Sequence, residues 1–137
     1  MTDRNTAVIE EFRSNAGRVG GFFEGRSLLL LHHVGARTGA ERISPLLYER
    51  FDGGYAIFAS KGGAPAHPHW YHNIVANPDT TIEVGEQTIT VRARVATQVE
   101  RRSVWEQAKR NFEPFADYEE KTKAHRTIPV ILLEPRG

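Results

Sequence analysis

Turns constrain this chain more than its apolar content does. Asp52-Gly53-Gly54 separates a strand-like run over 43–51 from another over 55–60, and Gly85-Glu86 separates 80–84 from 88–96. Both are hairpin signals, because aspartate and glycine take the positive-φ conformations that tight antiparallel turns require. Gly35-Ala36-Arg37-Thr38-Gly39 likewise joins a buried apolar run over 27–34 to the run beginning at Ile43. A last strand is expected over 128–133. Helical spacing of apolar residues appears over 3–16 (Val8, Ile9, Phe12) and over 98–111 (Val99, Val104, Trp105, Ala108). Shorter helices are expected over 69–76, where Pro68 suits the first turn, and over 115–124. About six strands joined mostly by hairpins, with three or four peripheral helices, imply an antiparallel barrel or strongly curled sheet. A doubly wound fold would alternate strands with helices. Pro45 and Pro129 lack the N–H that a ladder needs, so each is expected at an irregular or edge position.

The 137 residues suffice for one domain with a full core, so 1–137 reads as a single unit with an N-terminal helix over 1–16. A formal net charge of +1 supplies no bulk attraction to nucleic acid. The absence of cysteine excludes disulfides and thiol chemistry and fits a cytoplasmic protein. Residues 1–15 lack the apolar stretch of a secretory signal. Val8, Ile9 and Phe12 could meet either a core or a membrane surface; Glu10 and Glu11 favour the core.

The chemistry concentrates in Ser60-Lys61-Gly62-Gly63-Ala64-Pro65-Ala66-His67-Pro68-His69-Trp70-Tyr71-His72-Asn73. Small residues let a backbone approach a ligand, Lys61 adds a positive charge, and Trp70 and Tyr71 offer flat faces with polar edges. This is a surface for something planar and anionic. His67, His69 and His72 invite a metal, but no carboxylate or cysteine within the segment completes a site, so pocket lining, or a helix cap at His67, fits better. Ser60-Lys61 has no nucleophile elbow around it and reads as a hydrogen-bond donor beside an anion contact. In Gly35-Ala36-Arg37-Thr38-Gly39-Ala40-Glu41-Arg42, two guanidiniums and a hydroxyl could hold a phosphate; equally, it is a hairpin loop with solvated charges. Trp105, Phe112, Phe115 and Tyr118 have core-like spacing, with Tyr118 the one suited to face a cleft. Arg126-Thr127-Ile128-Pro129 reads only as the entry to the last strand.

Taken in order, Gly35–Gly39 with Arg42 and Pro45, Ala59-Ser60-Lys61-Gly62-Gly63-Ala64, Pro68-His69-Trp70-Tyr71-His72-Asn73, Asn77-Pro78, Asp117-Tyr118 and Arg126–Pro129 resemble the deazaflavin-dependent nitroreductases of actinobacteria. The resemblance spans nearly the whole chain. It implies a split β-barrel related to flavin mononucleotide-binding barrels. The implied cofactor is coenzyme F420, an 8-hydroxy-5-deazaflavin with a phosphodiester and an oligoglutamate tail. It further implies that Arg37, Thr38 and Arg42 take the phosphate. Ala59, Ser60 and Lys61 would lie along the ring, with His69, Trp70 and Tyr71 lining the pocket. Gly35, Gly39, Ile43, Pro45, Gly62 and Asn73 complete the implied cofactor-binding set. No metal is implied. The implied activity is hydride transfer to an electron-poor small molecule such as a quinone, an enone or a nitroaromatic. Ser60 and Tyr118 are then the catalytic donors to developing negative charge. Two departures bear on substrate: Phe112 and Phe115 stand where nitroimidazole-reducing members carry tyrosines, and Ala36 stands where some carry a basic residue. Flavin mononucleotide on the same barrel, and a cofactor carrier without chemistry, are the alternatives. Monomer and homodimer are both open.

Overall fold

The computed structural model describes residues 4–136. Among them six strands close into an antiparallel barrel: β1 (Leu28–Val34), β2 (Glu41–Phe51), β3 (Gly54–Phe58), β4 (Asp79–Val84), β5 (Gln87–Val95) and β6 (Val130–Pro135). The order around the barrel is β1-β2-β3-β6-β5-β4. The β2–β3 hairpin turns through Asp52 (φ 49°) and Gly53 (φ 80°), two left-handed residues in succession, the signature of a type I′ turn. Closure comes from pairings remote in sequence, Leu30 opposite Glu83 and Tyr55 opposite Leu133.

The helices are α1 (Arg4–Ser14), α2 (His69–Ala76), α3 (Gln98–Asn111) and α4 (Pro114–Thr122). Residues 1–3, included in the expected first helix, lie outside the described residues. α1 lays Phe12, with Val8 and Ile9, against Leu28 and Leu30, and Arg13 grips Glu83 of β4 at 2.7 Å. α3 starts with a reciprocal capping box, Thr97 Oγ1 accepting from Glu100 N–H while the Glu100 carboxylate accepts from Thr97 N–H. Such boxes contribute on the order of 1 kcal/mol. With α4, α3 buries Val104, Trp105, Phe112 and Phe115 on the outer face of β3 and β6. Inside the barrel lie Leu29, Leu31, Ile57, Ile82, Val91 and Leu133, and α2 stoppers one end with Trp70 and Ile74.

The two prolines part ways. Pro45 pairs with Leu30, and β2 pairs with β3 only from Tyr48 onward, so residues 43–47 form a free edge. Tyr48 N–H donates to Ser27 O, which sets the phase of the ladder and turns the Pro45 nitrogen toward that open side. Pro129 does not make the last strand an edge. β6 sits between β3 and β5; Pro129 only precedes it, and its carbonyl accepts from Ala59 N–H at 3.0 Å.

Candidate functional site

The free edge of β2 opens one side of a trough that runs past α2. At one end is a cavity of about 300 Å³ walled by Pro45 and Leu46, the Ser60–Gly62 backbone, Trp70, and the rings of Phe22, Phe58, Phe112, Phe115 and Tyr118. At the other end a cleft of about 680 Å³ is lined by Arg37, Thr38, Arg42, His69 and His72. The space between shares Ser44, Lys61, Pro68 and Trp70 with the first and Arg42 and His69 with the second. The trough is therefore apolar and flat-walled at one end and cationic at the other. Among the described residues no carboxylate pairs with Arg37, Arg42 or Lys61, although Glu41 stands on the rim. The loop carrying Arg37 is closed by Gly35 N–H to Ala40 O (2.8 Å). Thr38 Oγ1 accepts from Ala40 N–H, which leaves the Thr38 proton available to an anion. A separate cavity of about 390 Å³ beside Arg26, Glu49 and Gln107 shares Phe58, Phe112 and Phe115 with the apolar end.

The loop that floors the apolar end is strained. Lys61, Gly62 and Gly63 all have positive φ (48°, 62° and 86°). For lysine that costs about 1 kcal/mol or more. A Cβ at Gly63 would stand 2.9 Å from Lys121 Cδ and 3.3 Å from Tyr118 Cα, so α4 packs hard on the loop. One side chain holds it in place. The Arg126 guanidinium donates to Ala59 O (2.9 Å), Ser60 O (2.9 Å), Ala64 O (3.1 Å) and His67 Nδ1 (2.9 Å). His67 Nδ1 is thus taken up by Arg126, and Pro68, not His67, is the cap of α2. Burial, then Arg126, lowers the His67 pKa and keeps it a neutral acceptor.

A second polar chain lies under α2. Asn73 Oδ1 accepts from Ala36 N–H (2.9 Å), Asn73 Nδ2 meets His33 Nδ1 (2.9 Å), and His33 Nε2 meets Ser44 Oγ (2.8 Å). His33 is 5% exposed. Burial, and then Arg42 on β2 and His32 on β1, hold its pKa down to about 4 from an ordinary 6.5. The folded state therefore resists a proton that the unfolded chain accepts. Stability is full above about pH 6.5 and falls as pH drops toward 4, by about 3 kcal/mol from this residue at most. Thermal unfolding across that window should show the fall, and His33→Leu should flatten it; equal slopes in the two proteins would refute the assignment.

Most residues expected at the site converge. Arg37, Thr38, Arg42, Lys61, Gly62, His69 and Trp70 line the trough, Ile43 and Pro45 lie on the β2 side, and Ser60 and Tyr118 share the apolar cavity. Ala59 is fully buried and contributes its carbonyl to Arg126. Gly39 only turns the loop, and Tyr71 packs its ring on His67 (4.7 Å) and His72 instead of lining the trough. Asn73 stands in the cationic wall with its amide committed on both sides. Arg126, His33 and Ser44 are the residues that sequence reasoning passed over. For Arg126 a signal existed, since it sits in one of the resembling motifs.

Comparison with known proteins gives a consistent result. The family model for the F420H(2)-dependent quinone reductases matches residues 4–135. An F420H(2)-dependent quinone reductase of Mycobacterium tuberculosis is 37% identical over 129 residues, 91% of this chain and 85% of that protein. A solved F420-H2 dependent reductase, FDR-A, superposes with a TM-score of 0.71 at 38% identity, covering 80% of this chain and 95% of that one. A solved domain-swapped dimer gives the same TM-score and identity, covering 80% and 81%.

Proposed function

The chain belongs to the F420H(2)-dependent quinone reductase family, and from that premise we propose that it carries a hydride from reduced F420 to a quinone. One observation carries this reading: a flat-walled apolar cavity continues, past Lys61 and Trp70, into a cationic cleft without acidic partners among the described residues. A planar ring joined to an anionic tail fits that division.

The residues take roles accordingly. Arg37, Thr38 and Arg42 hold the phosphodiester by forked and hydroxyl donors, with His69 and Lys61 adding donors along the trough. Ile43, Pro45, Trp70 and the Ser60–Gly62 backbone border the ring. F420 supplies the hydride chemistry itself. The chain orients the acceptor along Phe22, Phe112 and Phe115, and offers the Ser60 and Tyr118 hydroxyls where an acceptor oxygen gains charge. Those phenylalanines favour a flat apolar quinone. The FDR-A relative is named for reduced F420, which favours the deazaflavin over flavin mononucleotide as cofactor. Membrane contact through α1 gains no support, since Phe12 is buried and Val8 and Ile9 pack against the barrel. Among the described residues no helix is long and apolar enough to cross a membrane.

The test is reoxidation of reduced F420 by menadione. The protein should accelerate it, and the Ser60→Ala, Tyr118→Phe double variant should lower kcat roughly a hundredfold with cofactor still bound. No acceleration by the parent protein overturns the reductase reading; an unimpaired double variant overturns the two assigned donors.

A further inference from the structure

The Asn73–His33–Ser44 chain has a direction that hydrogen-bond chemistry fixes. Ala36 N–H is a donor, so the Asn73 atom facing it at 2.9 Å is the carbonyl oxygen. The other amide atom is then the NH2 group, which only donates. It faces His33 Nδ1 at 2.9 Å, so Nδ1 bears the lone pair. A neutral imidazole has one proton, and it must sit on Nε2, where it is given to Ser44 Oγ at 2.8 Å. A protonated His33 would set an N–H against the amide NH2, which agrees with its lowered pKa.

Serine, histidine and a carboxamide in a row look like a nucleophile with its base. The polarity excludes that. Nε2 already carries a proton and cannot take another from Ser44, so nothing activates the hydroxyl for attack. Instead Ser44 is supplied with a donor on its inner side. Among the described residues His33 is the hydrogen-bond partner of this hydroxyl, and its own proton is left to be given elsewhere. The outer side of Ser44 is the trough, at the stretch shared by the apolar cavity and the space leading to Arg42.

Building on the cofactor reading above, we infer that Ser44 is a hydrogen-bond donor to an oxygen of the bound deazaflavin where its ring joins its anionic side chain, with Asn73 and His33 as positioning residues that turn the Ser44 proton outward. The chain links the phosphate loop, through Ala36 N–H, to the ring compartment. Adjacent strands β1 and β2 and the more distant α2 thereby set one donor.

Fluorescence titration of oxidised F420 against the parent, Ser44→Ala, His33→Leu and the double variant tests this, with Tm measured alongside. Ser44→Ala should raise Kd about fivefold, the loss expected for one neutral hydrogen bond. His33→Leu should do likewise, and the double variant should bind no worse than Ser44→Ala, because His33 acts through Ser44. A Ser44→Ala Kd within twofold of the parent overturns the inference, as do losses that simply multiply in the double variant. If His33→Leu does not fold, the Ser44→Ala arm decides alone. A parent protein that does not bind F420 removes the cofactor reading and this inference together, whereas a parent that binds with Ser44→Ala unaffected removes only the inference.

Discussion

Replacing Arg126 by alanine should weaken F420 binding roughly thirtyfold, about 2 kcal/mol, although Arg126 lines none of the compartments of the trough. The reason is the loop it holds. Lys61, Gly62 and Gly63 keep left-handed backbone through three consecutive positions, and the Arg126 fork satisfies the carbonyls of Ala59, Ser60 and Ala64 around them. Hydrogen bonds from a charged donor contribute about 1.5–3 kcal/mol net each when buried, and partial exposure of this guanidinium argues for a total well below their sum. Without it the loop relaxes, and binding must order it again. Arg126→Lys should rescue little, since an ammonium has three donors and no planar fork with which to meet four acceptors. Hydrogen exchange gives a reading independent of activity: the Gly63 amide, bonded to Ser60 O at 3.0 Å, should lose protection in both variants. An Arg126→Ala protein that binds F420 within threefold of the parent would show that α4 packing alone shapes the loop.

The difference between what was legible in sequence and what was not follows the range of the interactions. Hairpins could be read because Asp52-Gly53-Gly54 encodes its own turn, and α3 could be read because its apolar period is local. The closure of the barrel was only a class of architecture, since nothing near Leu30 announces Glu83 as its partner. The same holds at the site. Segments that present several unusual residues together, around Arg37 and around Lys61, declared themselves as ligand surface. Arg126 did not, because a lone arginine before a strand looks like a solvated charge; its acceptors lie 59 to 67 positions earlier. His67 was open to reading as a cap for α2 because its bond to Arg126 is invisible in sequence. His33 and Ser44 hid as ordinary members of strands, and Asn73, 40 positions from His33, looked like pocket lining when its amide is fully engaged inside.

Asn73→Asp tests whether those internal bonds carry direction, because it changes one atom and reverses the chain. A carboxylate oxygen can still accept from Ala36 N–H, but the other oxygen now faces His33 Nδ1 and has no proton to give. Nδ1 must then carry the proton. In neutral His33 this leaves a lone pair on Nε2, which draws the Ser44 hydroxyl inward. The adjacent carboxylate also favours the imidazolium, so the His33 pKa should rise from about 4 to above its ordinary value, a change readable by NMR. The sign of the stability profile reverses with it. The parent loses stability as pH falls from about 6.5 to 4, whereas in the variant the gain from the ion pair is complete below the unfolded pKa and disappears as pH rises through the raised folded value. Cofactor affinity should follow the same switch. Above that pKa the variant binds F420 about fivefold more weakly than the parent, with the Ser44 proton turned away. Below it the imidazolium carries a proton on Nε2 again, Ser44 points outward, and the ratio of the two Kd values returns toward one. A ratio constant across pH, with His33 still titrating near 4, would mean that Asn73 fills space under α2 without orienting anything.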